Sequence, residues 1–226
     1  MAKTLVPYLA PIEEELVRKL GIRDKPLKPI IAIGGLSGSG KDTHAMLLRK
    51  KLRCRVGLRL KVNVAGHFVR RLARMEGFSE KDLDQFMKKY EFSEDYAEKI
   101  DKRIERETLE NALRNGGIYV GRMAPFTIGK WGFTVWLLVS PEVAAQRIAK
   151  SKRRPERSLP LDLIVRKIVE RNNTDVNRLE RIYNINIQKL IGELNLVINN
   201  EDDKEKVSEE IYRGCIKYLK DSGFIQ

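Results

Sequence analysis

The sequence predicts an α/β three-layer sandwich, with five parallel strands in one sheet and helices on both faces. Three observations carry that expectation. Short apolar runs alternate with helix-like stretches along most of the chain, an order that requires crossover connections and therefore a parallel sheet. One run, Phe133 to Val139, is apolar almost without interruption, as in a strand covered on both sides. Another, Ile30-Ile31-Ala32-Ile33, leads directly into Gly35-Leu36-Ser37-Gly38-Ser39-Gly40-Lys41-Asp42-Thr43, a glycine-rich turn closed by a lysine at a helix start.

Each element has a local cause. Residues 1–29 are expected as a short helical extension ahead of a domain spanning 30–226. In that extension Pro11 opens a helix-like stretch, Ile12 to Leu20, which Gly21 closes before Pro26 and Pro29. After the first strand and its turn, a helix is expected from about Thr43 to Cys54. Leu60 to Val64 alternates as a second strand, followed by a helix from His67 to Met75. Ser79, spaced from Asp82, caps a further helix. Ser93 starts a longer one that Asn115-Gly116-Gly117 ends. Ile118-Tyr119-Val120 and Phe133 to Val139 are the third and fourth strands, and Ser140-Pro141-Glu142 begins the next helix. A run dense in Lys and Arg, Ala149 to Ser158, contains Pro155. Two helices follow it, then a fifth strand, Leu194 to Ile198, and a last helix from about Asp203 to Leu219.

The glycine-rich turn is a cradle for phosphate. Gly35, Gly38 and Gly40 let the backbone adopt positive φ and approach an anion closely, so that successive N–H groups, including those of Leu36, Ser37 and Ser39, turn inward. The positive end of the following helix adds to them, and Lys41 brings a mobile charge to the terminal phosphates. Asp42 stands where Ser or Thr commonly follows the lysine, and Thr43 comes one place later.

Composition narrows the partners. The chain has 226 residues, 42 % hydrophobic and 33 % charged, ordinary for one α/β domain with a small insertion. No run is long enough to span a membrane, and the first residues lack a signal-peptide core, so a cytoplasmic location is expected. The two cysteines, Cys54 and Cys215, have no metal spacing and are expected as buried or half-buried thiols. Forty-four basic against 31 acidic residues give a net charge of +13. That excess serves either nucleic-acid binding or arginines converging on small-molecule phosphates. The basic residues are spread along the chain without RNA-module signatures, which favours a small-molecule partner over nucleic acid; a monomer is expected.

Phosphoryl transfer needs cations around three equatorial oxygens and exclusion of water. Four places supply them. Arg70 and Arg71 follow the second strand. Arg122 lies just past the C-terminal end of the third, where ligands bind in such sheets. Arg147, Lys150, Lys152, Arg153, Arg154 and Arg157 follow the fourth. Arg171, Asp175 and Arg178 share one helical face.

This layout resembles the cytidylate kinases, their archaeal-type branch in particular, within the P-loop NTPase fold of the nucleoside monophosphate kinases. The resemblance runs from about Ile30 to the C-terminus. It rests on Gly38-Ser39-Gly40-Lys41-Asp42-Thr43, on Ala65-Gly66-His67-Phe68-Val69-Arg70, on Val120-Gly121-Arg122, on Ile100-Asp101 with Glu105, on Arg171-x-x-x-Asp175-x-x-Arg178 and on Tyr183. It implies ATP as donor, CMP or dCMP as acceptor and Mg²⁺ held by Thr43. By the same likeness Arg70 and Arg122 touch the acceptor phosphate, Asp175 holds the nucleotide ribose, and Arg171 and Arg178 contact acceptor or transferring phosphate. An acceptor-binding helical region at about 65–116 and a lid at about 149–160 complete the implied plan, the basic run from Arg147 through Arg153 to Arg157 closing over the donor. Two positions depart from it: Val120 stands where the family has a carboxylate, and Lys41 where the archaeal branch often has Thr.

Bland readings stand beside these. Arg122 could neutralise a helix end, the basic run could be a solvated face, and Asp101 either meets the cytosine amine or pairs with Arg and Lys on its own helix. His44 and His67 are expected as packing or surface residues, and Trp131 and Trp136 as core. A different small-molecule kinase and a nucleotide-gated RNA-binding protein are the rival functions.

Overall fold

The computed structural model describes residues 3–79, 93–151, 158–201 and 203–226. Its centre is one parallel sheet in the order β2-β3-β1-β4-β5, built from β1 (Ile30–Gly35), β2 (Val62–Val64), β3 (Gly117–Val120), β4 (Phe133–Leu138) and β5 (Leu196–Asn199). The strands alternate their side chains between two apolar layers, which is why the runs read as continuously hydrophobic. Ile30 and Ala32 face one layer with Tyr119 and Trp136. Ile31 and Ile33 face the other with Ile118, Val120 and Val135.

The second layer is closed by α2 (Lys41–Val56) through Leu48 and Leu52, and by the C-terminal helix Lys204–Asp221 through Val207, Ile211 and Leu219. The first is closed by α1 (Ala10–Leu20), α4 (Glu94–Asn115), α5 (Ala124–Ile128) and α7 (Leu161–Tyr183). Residues before β1 belong to this layer: Val6 and Leu9 are fully buried, and the buried Glu13 carboxylate accepts the N–H groups of Lys3 and Thr4 at 2.6 and 2.7 Å. The remaining helices are α3 (Ala65–Met75), α6 (Pro141–Ala149), α8 (Ile187–Ile191) and α9, the C-terminal helix already given. No helix among the described residues is long and apolar enough to cross a membrane.

Several boundaries differ from expectation. α2 starts at Lys41, because Gly40 takes the left-handed conformation (φ +79°) and ends the loop there. β2 shrinks to three residues, and α3 begins directly at Ala65 from an extended Val64. α5 was not anticipated. Pro125 sits in its first turn, and Phe126 packs on Trp136 with ring centroids 5.2 Å apart. Cys54, expected buried or half-buried, is exposed on α2, whereas Cys215 is buried. The helix expected after Ser79 falls outside the described residues.

Ser93, Ser140 and Asp203 cap α4, α6 and α9, each accepting backbone N–H groups of its first turn.

Candidate active site

The parallel strands end together at one rim, where β1 runs into residues 35–40 and α2 begins. The loop is held too tightly for side chains at two of its glycines. Gly38 has φ +77°, and a Cβ there would lie 2.5 Å from that of Ala144 on α6. Gly40, at φ +79°, would place its Cβ 2.9 Å from Asn200 Nδ2.

Asn200, just past β5, ties the loop from below. Its Nδ2 donates to Ser39 O at 2.6 Å, its Oδ1 accepts from His44 Nε2 at 3.1 Å, and its own carbonyl accepts from Arg147 Nη2 at 2.5 Å. Because Nδ2 is committed to a carbonyl, Oδ1 must accept, which fixes the His44 proton on Nε2. Burial is the main cause that lowers the His44 pKa, so this imidazole is neutral. His44 thus serves as a support for the loop rather than as plain packing. Neither Asn200 nor this role of His44 was visible in the sequence, since the partners are 156 and 161 residues apart.

Arg147 leaves its buried Nη1 without a hydrogen-bond partner in the structure, 3.9 Å from where a Gly40 Cβ would stand. A desolvated guanidinium N–H without an acceptor is costly, and an anion over the loop would satisfy it. Around it opens a cleft of about 360 Å³ lined by Gly38, Gly40, Lys41, Thr43, Arg147 and Lys204. Asp42 and Thr43 are exposed on the first turn of α2 and border the same cleft. Lys41 Nζ donates to Leu36 O at 3.3 Å.

Across the rim, five of the anticipated residues form one ion-pair cluster. Arg122, just after β3, meets Asp175 Oδ2 at 2.5 Å. Arg178 bridges Asp175 Oδ1 at 3.5 Å and Asp101 Oδ2 at 3.3 Å, and Arg171 Nε stands 3.9 Å from Asp175. Three guanidinium groups share two carboxylates, so the cluster keeps a net positive charge. The half-exposed Arg171 carries it outward. Asp101 thus pairs with Arg178 on another helix.

A residue that sequence reasoning missed joins the two halves. Asn172 Oδ1, next to Arg171 on α7, accepts the Ser37 N–H of the loop at 3.1 Å. Arg70 is not drawn in. It is half-buried on α3, its Nη2 3.8 Å from a Cβ placed on Gly66, and it has no ion pair among the described residues. Arg153 and Arg157 lie outside the described residues.

Glu105, one turn after Asp101, is buried and accepts the Thr127 hydroxyl of α5 at 2.5 Å. Burial, with the Asp101 charge adding to it and the Thr127 bond opposing, raises its pKa to about 8. Val120, where the family resemblance implies a carboxylate, is buried in the apolar layer of Ile31, Ile33 and Val135.

Comparison with known proteins identifies the family. The sequence model of the cytidylate kinase-like family matches residues 30–202. A cytidylate kinase from Sulfurisphaera tokodaii is 35 % identical over 196 residues, covering 84 % of this chain and 96 % of that protein. One from Methanocaldococcus jannaschii is 32 % identical over 165 residues, 71 % of this chain and 83 % of that protein. Among solved structures, shikimate kinase from Bacteroides thetaiotaomicron superposes with a TM-score of 0.54 over 85 % of this chain and 98 % of that one, at 17 % identity, a likeness of fold alone. With the family match spanning most of the sequence and relatives above 30 % identity over nearly their whole length, the chain belongs to the cytidylate kinase-like family.

Proposed function

We propose that the chain is a cytoplasmic, monomeric nucleoside monophosphate kinase that transfers the γ-phosphoryl group of ATP to CMP or dCMP, giving ADP and CDP or dCDP. The observation that carries this reading is the cationic surplus gathered at the rim. The Arg122–Asp175–Arg178–Asp101 cluster is linked through Asn172 to a phosphate loop that already holds Lys41 and an unsatisfied Arg147 N–H.

In the proposed reaction an oxygen of the acceptor's phosphate forms a bond to the γ-phosphorus while the bond from that phosphorus to the β-bridging oxygen breaks. ADP leaves with the electron pair. An acceptor phosphate that is already ionised needs no general base. The loop N–H groups and Lys41 hold the donor's phosphates, and Arg147 neutralises charge as phosphorus moves. Arg122, Arg171 and Arg178 orient the acceptor, with Asp175 fixing their geometry and meeting a ribose hydroxyl. Arg70 would join them only by swinging in from α3 over the acceptor, and Arg153 and Arg157 would act from the lid.

Magnesium fits the donor set. Thr43 is exposed on the cleft, and no group of three or more His, Cys, Asp or Glu side chains able to hold a metal exists among the described residues. Mg²⁺ that keeps several waters needs only one hydroxyl and the phosphates, and it would neutralise charge across the β- and γ-oxygens. Residues about 65–116 form the acceptor-binding region of this reading, about 149–160 its lid, and 1–29 an extension to its kinase domain.

The test is ADP release measured with ATP and each of CMP, dCMP, UMP, AMP and GMP. Turnover is expected with CMP or dCMP; turnover with AMP and none with either cytidylate would remove the proposal. Lys41→Ala and Arg122→Ala are each expected to lower kcat/KM by about 10²–10³-fold with an unchanged circular-dichroism spectrum. A near-normal rate in either variant would mean that the roles are assigned wrongly.

A further inference from the structure

We infer that the edge of the sheet at the pole away from the phosphate loop carries a second site, a cationic groove that binds single-stranded polynucleotide. The groove encloses about 560 Å³ between the C-terminal half of α2 and the chain entering β2, and is lined by Arg49, Arg53, Arg59, Leu60, Lys61 and Val62. It contains four cations and no acid. Counted at 1.5 Å per residue, Arg53 is about 18 Å along α2 from Lys41, so the groove is separate from the nucleotide cleft.

What distinguishes the groove is that it gathers four cations without an acid, whereas several neighbouring cations are neutralised. On the adjoining face of the same helix, Lys51 and Arg55 are neutralised by Glu209, with Glu205 also 3.2 Å from Lys51. On the helices beyond, Arg71 and Arg103 share Glu107, and Arg114 pairs with Glu110. Arg49, Arg53, Arg59 and Lys61 have no ion pair among the described residues. Four unneutralised charges in one groove repel one another, and that repulsion is relieved by a polyanion.

The shape favours a strand over a compact phosphate ligand. Arg49 and Arg53 are one helical turn apart, about 6 Å along the axis, comparable with the step between successive phosphates of one chain. The groove is open, and at Lys61 and Val62 it runs on into a larger one of about 960 Å³, where Glu107 and Glu110 lie among Arg71, Arg74 and Arg114. Leu60 and Val62, both partly exposed, offer an apolar floor against which unpaired bases can lie. A base-paired duplex hides those base faces and has no use for such a floor.

The experiment is fluorescence anisotropy of the intact protein with a labelled single-stranded oligonucleotide of about 16 nucleotides, RNA and DNA in separate arms, across a salt series. Four phosphate contacts predict a slope of log K against log[salt] of about −3. Combining Arg49→Ala, Arg53→Ala and Arg59→Ala is expected to make that slope shallower by about 2 while kinase turnover stays at the wild-type value. The matching Arg→Lys triple variant, which keeps the charges, is expected to retain the slope, and it tests the same claim should the alanine variant fold poorly. Binding by either RNA or DNA with this dependence supports the site. An alanine variant with the wild-type slope, a lysine variant that loses it, tighter binding to duplex, or tighter binding to phosphatidylcholine–phosphatidylserine vesicles would each overturn it.

Discussion

Replacing Glu105 by Gln should make the protein more stable in mild alkali, and the structure gives the size of the effect. Glu105 is buried between α4 and α5, and burial lifts its pKa from 4.5 to about 8. Below pH 4.5 its carboxyl is protonated whether the chain is folded or not, and no stability is lost. Between 4.5 and about 8 the unfolded chain gives up the proton while the folded one retains it, so each rise in pH favours unfolding. Above 8 both forms are ionised and the loss is complete. At 1.36 kcal/mol per unit of pKa, the full loss is about 5 kcal/mol. Gln has the same shape and can still accept the Thr127 hydroxyl, but it does not titrate. The difference in unfolding free energy between Glu105→Gln and wild type, read from urea curves at a series of pH values, should therefore rise in favour of the variant by about 3–5 kcal/mol between pH 4.5 and 8.5. Parallel curves across that range would show that Glu105 ionises freely.

Other perturbations test separate links. Asn172→Ala removes one hydrogen bond, worth about 0.5–1.5 kcal/mol. It should lower kcat/KM by about 2- to 10-fold and speed amide exchange at Ser37; unchanged exchange would mean that α7 does not hold the loop. Leu9→Ala deletes a fully buried side chain ahead of β1 and should cost about 2–5 kcal/mol in denaturant unfolding. A cost well under 1 kcal/mol would make residues 3–29 peripheral to the core.

Much of the architecture was legible because its causes are local. Ser93, Ser140 and Asp203 announce their helices through side chains that reach N–H groups only two or three residues on. The strand runs read as apolar on both sides, and the sheet is covered on both sides. The glycines of the phosphate loop were recognisable since positive φ is a property of one residue at a time. Short α5 escaped notice because five residues give too few periods to detect, and its burial comes from packing against Trp136 rather than from its own pattern.

The residues of the rim divide along the same line. Types and spacing alone picked out Lys41, Arg122, Arg147, Asp175 and Arg178, because phosphoryl chemistry restricts what can serve and sheet topology restricts where. Distance in space decided the rest. Asn172 reaches a loop 135 residues away and Asn200 one 161 residues away. Asp101 reaches Arg178 on another helix, and Arg70 stayed outside the cluster. Glu105 keeps its proton only because the assembled helices shut out water, a property that no residue possesses until the chain has folded around it.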